Sequence, residues 1–138
     1  MEALEGLVLR LLSGPVLWLA LLALCGAYLQ GGVTKLTDWP GALAEMRQFG
    51  LTPAALFAGV TIAVELLAPL LILTGSFRWL GALVLAGFTL LASFRANRFW
   101  TLTGAARRAS ANTFFEHLGL VGAFVLVAWF DLQENPDG

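Results

Sequence analysis

The sequence predicts an all-α membrane protein: a bundle of four transmembrane helices with a short interfacial helix between spans one and two. Three observations carry this. Hydrophobic residues make up 59% of the 138 and charged residues only 12%, about half the charged share of roughly 25% usual in soluble proteins. Four apolar stretches are each long enough, at about 1.5 Å of rise per residue, to cross roughly 30 Å of hydrocarbon. The tryptophans sort to the ends of these stretches, Trp18, Trp79 and Trp129 toward one surface and Trp39 and Trp100 toward the other, as expected of a side chain that favours membrane interfaces. A water-soluble bundle would need polar outer faces, and the first two stretches offer almost none.

The first span covers about residues 11–34, since no charge falls between Arg10 and Lys35. It exceeds a signal-peptide core of roughly 7 to 15 residues, and Glu2 and Glu5 outweigh Arg10 ahead of it, so it is expected to be retained. Residues 40–50 then set Leu43, Met46 and Phe49 at helical spacing, with Glu45 and Arg47 between them, the pattern of a short helix lying at the interface. The second span, residues 51–77, is apolar apart from Glu65 and carries Pro53 where a first helical turn tolerates it. Ser76, Phe77 and Arg78 make a short connection, so spans two and three are antiparallel neighbours. The third span, residues 79–100, carries Arg95 and Arg98 in its last turns and crosses only if they snorkel to the headgroups. A polar stretch, Thr101–Asn112, with Arg107 and Arg108, leads to the fourth span at residues 113–130. An acidic tail runs from Asp131 to Gly138. Residues 1–138 read as a single membrane domain.

Counting lysines and arginines sets the expected orientation. Lys35, Arg47, Arg95, Arg98, Arg107 and Arg108 lie on the surface of the two longer loops, against Arg10 and Arg78 on the surface of the termini. Positive residues stay inside, which places the long loops in the cytoplasm and both termini outside.

A net charge of -1 with no basic run excludes nucleic acid as a partner. The single cysteine, Cys25, excludes an internal disulfide, a Cys-x-x-Cys redox pair and a zinc site built on several thiolates. Leu24 before it does not fit a lipoprotein box. No flavin, nucleotide, haem or metal motif is present, so a complete electron path is not expected within the chain. The bilayer is its first partner, with a second copy of the chain as a candidate beyond it.

Glu65 is the most informative residue, because an ionised side chain at mid-bilayer costs roughly 2.5 to 3.5 kcal/mol on insertion scales. It should be protonated, paired or facing a polar cavity. Pro69, four residues on, lacks an N–H and leaves the Glu65 carbonyl without its helical donor, so a kink is expected there, with Thr61 one turn earlier on the same face. His117, the lone histidine, is the best proton carrier available. Glu65 and His117 are thus candidate members of a proton relay. Lys35, Arg95, Arg98, Trp100, Glu116 and Tyr28 are candidate ligand-binding residues around them, at an aromatic-rich end that also holds Trp39, Phe99, Phe114 and Phe115. An aromatic-walled cavity with a few convergent donors would hold a planar quinone head group, ubiquinone or menaquinone, with its tail in lipid. The structural alternative is that Glu65 pairs with Arg95 or His117 to fix helix register, that Lys35 and Asp38 form a surface pair, and that the aromatics form an interfacial belt.

Gly32-x-x-Lys35-Leu36 closing the first span, Met46 and Phe49-Gly50-Leu51 before the second, Glu65-Leu66-Leu67 within it, Gly75, Arg78 and Gly81-Ala82 at the hairpin, and Phe99-Trp100 ending the third resemble the DoxX family. The likeness covers roughly residues 7–130. The resemblance implies a four-helix membrane domain in the bacterial inner membrane, a superfamily relation to the small subunit of thiosulfate:quinone oxidoreductase, and association with redox or thiol-stress proteins. Two departures stand out: Glu116-His117 and Gly122-Ala123 replace an Asn and a Gly pair common in the fourth span, and Arg98 replaces a frequent His before Phe99-Trp100. The leading expectation is therefore a quinone-linked redox accessory or oxidoreductase subunit acting with a partner. The rival is a membrane chaperone or assembly scaffold without catalysis, resting on Gly81, Gly87, Gly119 and Gly122 as close-packing positions.

Overall fold

The computed structural model describes residues 1–136, and the described residues fold into helices without strands. In chain order these are α1 (Glu2–Leu12), α2 (Pro15–Thr37), α3 (Trp39–Gln48), α4 (Ala54–Thr74), α5 (Arg78–Ala96), a 3-10 turn (Phe99–Thr101) and α6 (Gly104–Glu134). Four stretches, in α2, α4, α5 with its 3-10 turn, and α6, are long and apolar enough to cross a membrane. The short α3 sits between the first two of these, as the sequence predicts.

The boundaries differ from expectation where local chemistry outweighs hydropathy. The first span begins at Pro15, because Ser13 and a left-handed Gly14 (φ 62°) separate α1 as its own helix, and Pro then starts α2 at the position it suits best. The second span is shorter at both ends than residues 51–77. Pro53 lies just outside it as N-cap, and Gly75 closes it in the left-handed conformation (φ 78°). The polar stretch before span four is mostly helical from Gly104, so Arg107 and Arg108 ride on α6 instead of in a loop. The acidic tail is likewise helical through Glu134, while its last two positions, 137 and 138, lie outside the described residues. At 31 residues, α6 is about 46 Å long and overruns the hydrocarbon layer.

In lipid, every backbone carbonyl at a helix end needs a donor. At the end of α4, the Gly75 N–H donates to Leu71 O (3.1 Å), Arg78 Nε to Ile72 O (2.7 Å) and Trp18 Nε1 to Leu73 O (3.0 Å). At the start of α5, the Trp79 N–H donates to Asp131 Oδ2 of α6 (3.0 Å). Asp131 is buried and also accepts from Asn135 Nδ2 (3.3 Å). This acid, the first residue of the acidic tail, ties α6 to the α4–α5 hairpin.

Close backbone packing runs from α2 to α4, α4 to α5 and α5 to α6, while α3 rests on α4. Ala42 and Met46 of α3 meet Ala54 and Ala58 of α4 in a small separate core. The main core gathers Leu21, Cys25 and Tyr28 of α2, Ile72 of α4, Leu85 of α5 and Phe124 of α6. Along the remaining flank, α2 and α6 meet through side chains, with Tyr28 edge-on to Phe124 at 5.5 Å between ring centroids. Of the four glycines expected to pack closely, only Gly81 does. A Cβ there would lie 2.6 Å from the Ala68 carbonyl oxygen, whereas Gly87, Gly119 and Gly122 face open space.

Candidate functional site

Glu65 sits eleven residues into α4, about 17 Å from its start, and is only 6% exposed. Its partner is Lys35, whose Nζ lies 2.9 Å from Glu65 Oε1. This ion pair holds the oxygen, which has no other partner among the described residues. The expected alternatives, Arg95 or His117 as the partner and a Lys35–Asp38 surface pair, are therefore corrected. Asp38 is occupied elsewhere, its Oδ1 accepting from the Gly41 N–H (3.1 Å) as the N-cap of α3.

Two glycines of α2 make the pairing possible. A Cβ on Gly31 would meet Glu65 Oε2 at 2.8 Å, and one on Gly32 would meet Leu66 Cδ2 at 2.7 Å. The carboxylate therefore lies directly against the α2 backbone, and Lys35, one turn beyond Gly31, reaches back along the helix to it.

Beside this pair, Ala27, Tyr28, Glu65, Phe88, Thr89, Ala92, His117 and Leu120 enclose a cavity of about 210 Å³. Each of the four spanning helices contributes one polar side chain: Tyr28 from α2, Glu65 from α4, Thr89 from α5 and His117 from α6. Tyr28 Oη and Thr89 Oγ1 share a buried hydrogen bond of 2.5 Å. His117 Nδ1 lies 2.7 Å from the Thr113 carbonyl oxygen, and because a carbonyl only accepts, Nδ1 carries a proton. The ring's free nitrogen is Nε2, which accepts a proton when the imidazole is neutral and donates one when it is charged. Ala27 and Ala92 are exposed on the outer face of the bundle, so the cavity opens sideways.

The structure thus brings together Glu65, His117 and Tyr28, with Lys35 held on Glu65. It keeps the other predicted residues apart. Arg95, Arg98, Trp100 and Glu116 are exposed and do not line the cavity, nor does Thr61. Arg95 Nη1 donates to Phe49 O (3.4 Å), and Trp100 packs with Phe94, Phe99 and Phe114 in an aromatic cluster at the end of the bundle. Thr89 was not among the expected residues, because one threonine in an apolar span carries no distinctive signal. Among the described residues no group of His, Cys, Asp or Glu is placed to hold a metal ion.

The Tyr28–Thr89 bond gives a direct prediction. Tyr28→Phe should lower stability by about 1 kcal/mol, within the usual range for an interhelical hydrogen bond in a membrane, read as a shifted midpoint in SDS unfolding of the purified protein. An unchanged midpoint would mean that the bond does not hold α2 to α5.

Fold and site together define a small helical membrane bundle with an intramembrane ion pair beside a polar-lined cavity. The chain belongs to the DoxX family, whose model matches residues 7–98. It is similar to inner membrane protein YphA of Escherichia coli strain K12, 28% identical over 115 residues that cover 83% of this chain and 82% of that protein. No solved structure matches it.

Proposed function

We propose that the protein is a multi-pass inner-membrane protein, long loops in the cytoplasm and termini outside, whose cavity binds a quinone head group and exchanges protons with it as the membrane subunit of a redox complex. The observation that carries this reading is the convergence of Tyr28, Glu65, Thr89 and His117 on one apolar-walled space. A cavity of about 150 Å³ is enough to hold benzene, so 210 Å³ accommodates one substituted six-membered ring. The sideways opening leaves an isoprenoid tail in lipid.

Reducing the ring to its quinol takes two electrons and two protons. This chain supplies only the second kind of particle. His117 Nε2 and the Glu65 carboxyl would give up or receive protons at the ring oxygens, with Lys35 restoring the charge balance at Glu65. The Tyr28 and Thr89 hydroxyls offer a further donor. Electrons come from a partner subunit carrying its own redox group.

Lipid extracts of the purified protein should contain ubiquinone or menaquinone at a substantial fraction of one per chain. Glu65→Ala and His117→Ala should lose most of it while still folding. Extracts free of quinone, together with no quinone-dependent activity with native partners, would defeat the proposal. The scaffold alternative predicts the reverse pattern, with partner capture surviving at Glu65→Gln.

A further inference from the structure

On the side of the termini a second space opens, a groove of about 700 Å³ between α1, α2 and α6. Its walls are apolar, with Leu17 and Leu21 of α2 facing Leu126 and Phe130 of α6, while its outer end carries Arg78 and Glu134. It lies along the flank where α2 and α6 do not pack backbone to backbone. The polar end lies beside Trp18, whose indole donates to Leu73 O, and Trp79, whose N–H donates to Asp131, and tryptophan prefers the headgroup layer.

The charges at that end are arranged as for a zwitterion. Arg78 spends its Nε on the Ile72 carbonyl, leaving its terminal nitrogens without a partner among the described residues. Asp131, at the same end, has both oxygens engaged, by Trp79 N–H and Asn135 Nδ2. Glu134 accepts no hydrogen bond and forms no ion pair among the described residues, although it shares the groove with Arg78. One cation and two acids disfavour a purely anionic headgroup.

We infer that the groove is a binding site for an amine-bearing zwitterionic phospholipid of the leaflet that holds the termini. Its phosphate sits on Arg78, its ammonium on Glu134, and an acyl chain lies along Leu17, Leu21 and Leu126. The guanidinium suits the phosphate by its paired donors. The apolar walls continue the lipid phase into the bundle, so the occupant enters from the side without leaving the bilayer.

Competition in mixed micelles tests this. Full-length protein in mild detergent, given equimolar phosphatidylethanolamine and phosphatidylglycerol, should retain the ethanolamine lipid by about threefold over the glycerol lipid, as scored by native mass spectrometry, which is the scale of a partly exposed ion pair. Glu134→Lys should reverse that preference toward phosphatidylglycerol, and Arg78→Gln should weaken retention of both. Lysine at the last residue of α6 suits the helix dipole, so the first variant keeps its fold even if the second does not. Equal retention of the two lipids by the natural protein, a preference unchanged in Glu134→Lys, or a lipid-free dimer with the groove filled by a second copy would each overturn the assignment.

Discussion

Lys35→Met is expected to destabilise the protein by about 3–5 kcal/mol, the usual cost of removing one member of a buried ion pair. Without the ammonium, the Glu65 carboxylate would lie against Gly31 with Oε1 in contact with no donor, and an uncompensated charge in that position is costly. The converse change should be much milder. In Glu65→Gln the unpaired lysine stands only two residues from the end of α2, so its long stem lets the ammonium snorkel to the interface. A cost of about 1 kcal/mol or less follows for Glu65→Gln. The double variant Lys35→Met/Glu65→Gln should recover most of the loss, since neither charge is then stranded. SDS unfolding titrations of the four proteins close the cycle. If the two single variants cost the same small amount, the pair is an incidental surface contact and the proton role of Glu65 loses its physical basis.

Gly81→Ala should cost about 1–3 kcal/mol, the typical price of overpacking. Its Cβ would come within 2.6 Å of the Ala68 carbonyl oxygen and 3.0 Å of Leu71 Cβ. Ala68 is backbone held inside α4 beside Pro69, so it cannot swing away as a side-chain tip would. Relief requires α5 to shift from α4, loosening the core around Ile72 and Leu85. Gly119→Ala and Gly122→Ala meet open space and should stay within about 0.5 kcal/mol of the natural protein. At Gly32 the obstacle is the end of the Leu66 side chain, which can rotate, so Gly32→Ala should fall between these extremes. The same unfolding titrations rank all four. Equal effects at Gly81 and Gly119 would mean that the α4–α5 contact is not the tight joint of the bundle.

The four spans were legible because hydrocarbon length and charge exclusion act over twenty residues at a time, and no local detail can hide them. Their ends were less so. The apolar run continues across Ser13 and Gly14, so hydropathy does not register the left-handed turn that separates α1 from α2. At the start of α6 the opposite holds: the Ala-Ala-Arg-Arg-Ala sequence is polar on average yet rich in good helix formers, and backbone propensity extends the helix to Gly104. Glu65 announced itself as a lone acid in an apolar span, and His117 and Tyr28 as its chemically apt companions. The pairing with Lys35 did not, because it joins residues thirty positions apart while Asp38 stands nearby in sequence. Asp131 stands in the sequence only as the first residue of an acidic tail, for a similar reason. Its role is fixed by an N–H of Trp79, fifty-two residues away in the chain, and no local pattern encodes that distance.

The contact of Tyr28 with Phe124, backed by Leu21, Cys25, Ile72 and Leu85, is an insulating plug between the cavity and the groove. Among the described residues no polar side chain bridges it, so the proton exchange proposed at Glu65 would draw on the Lys35 end of the bundle. The side from which a partner's electrons reach a quinone in the proposed site would then decide whether its reduction adds to the voltage across the bilayer.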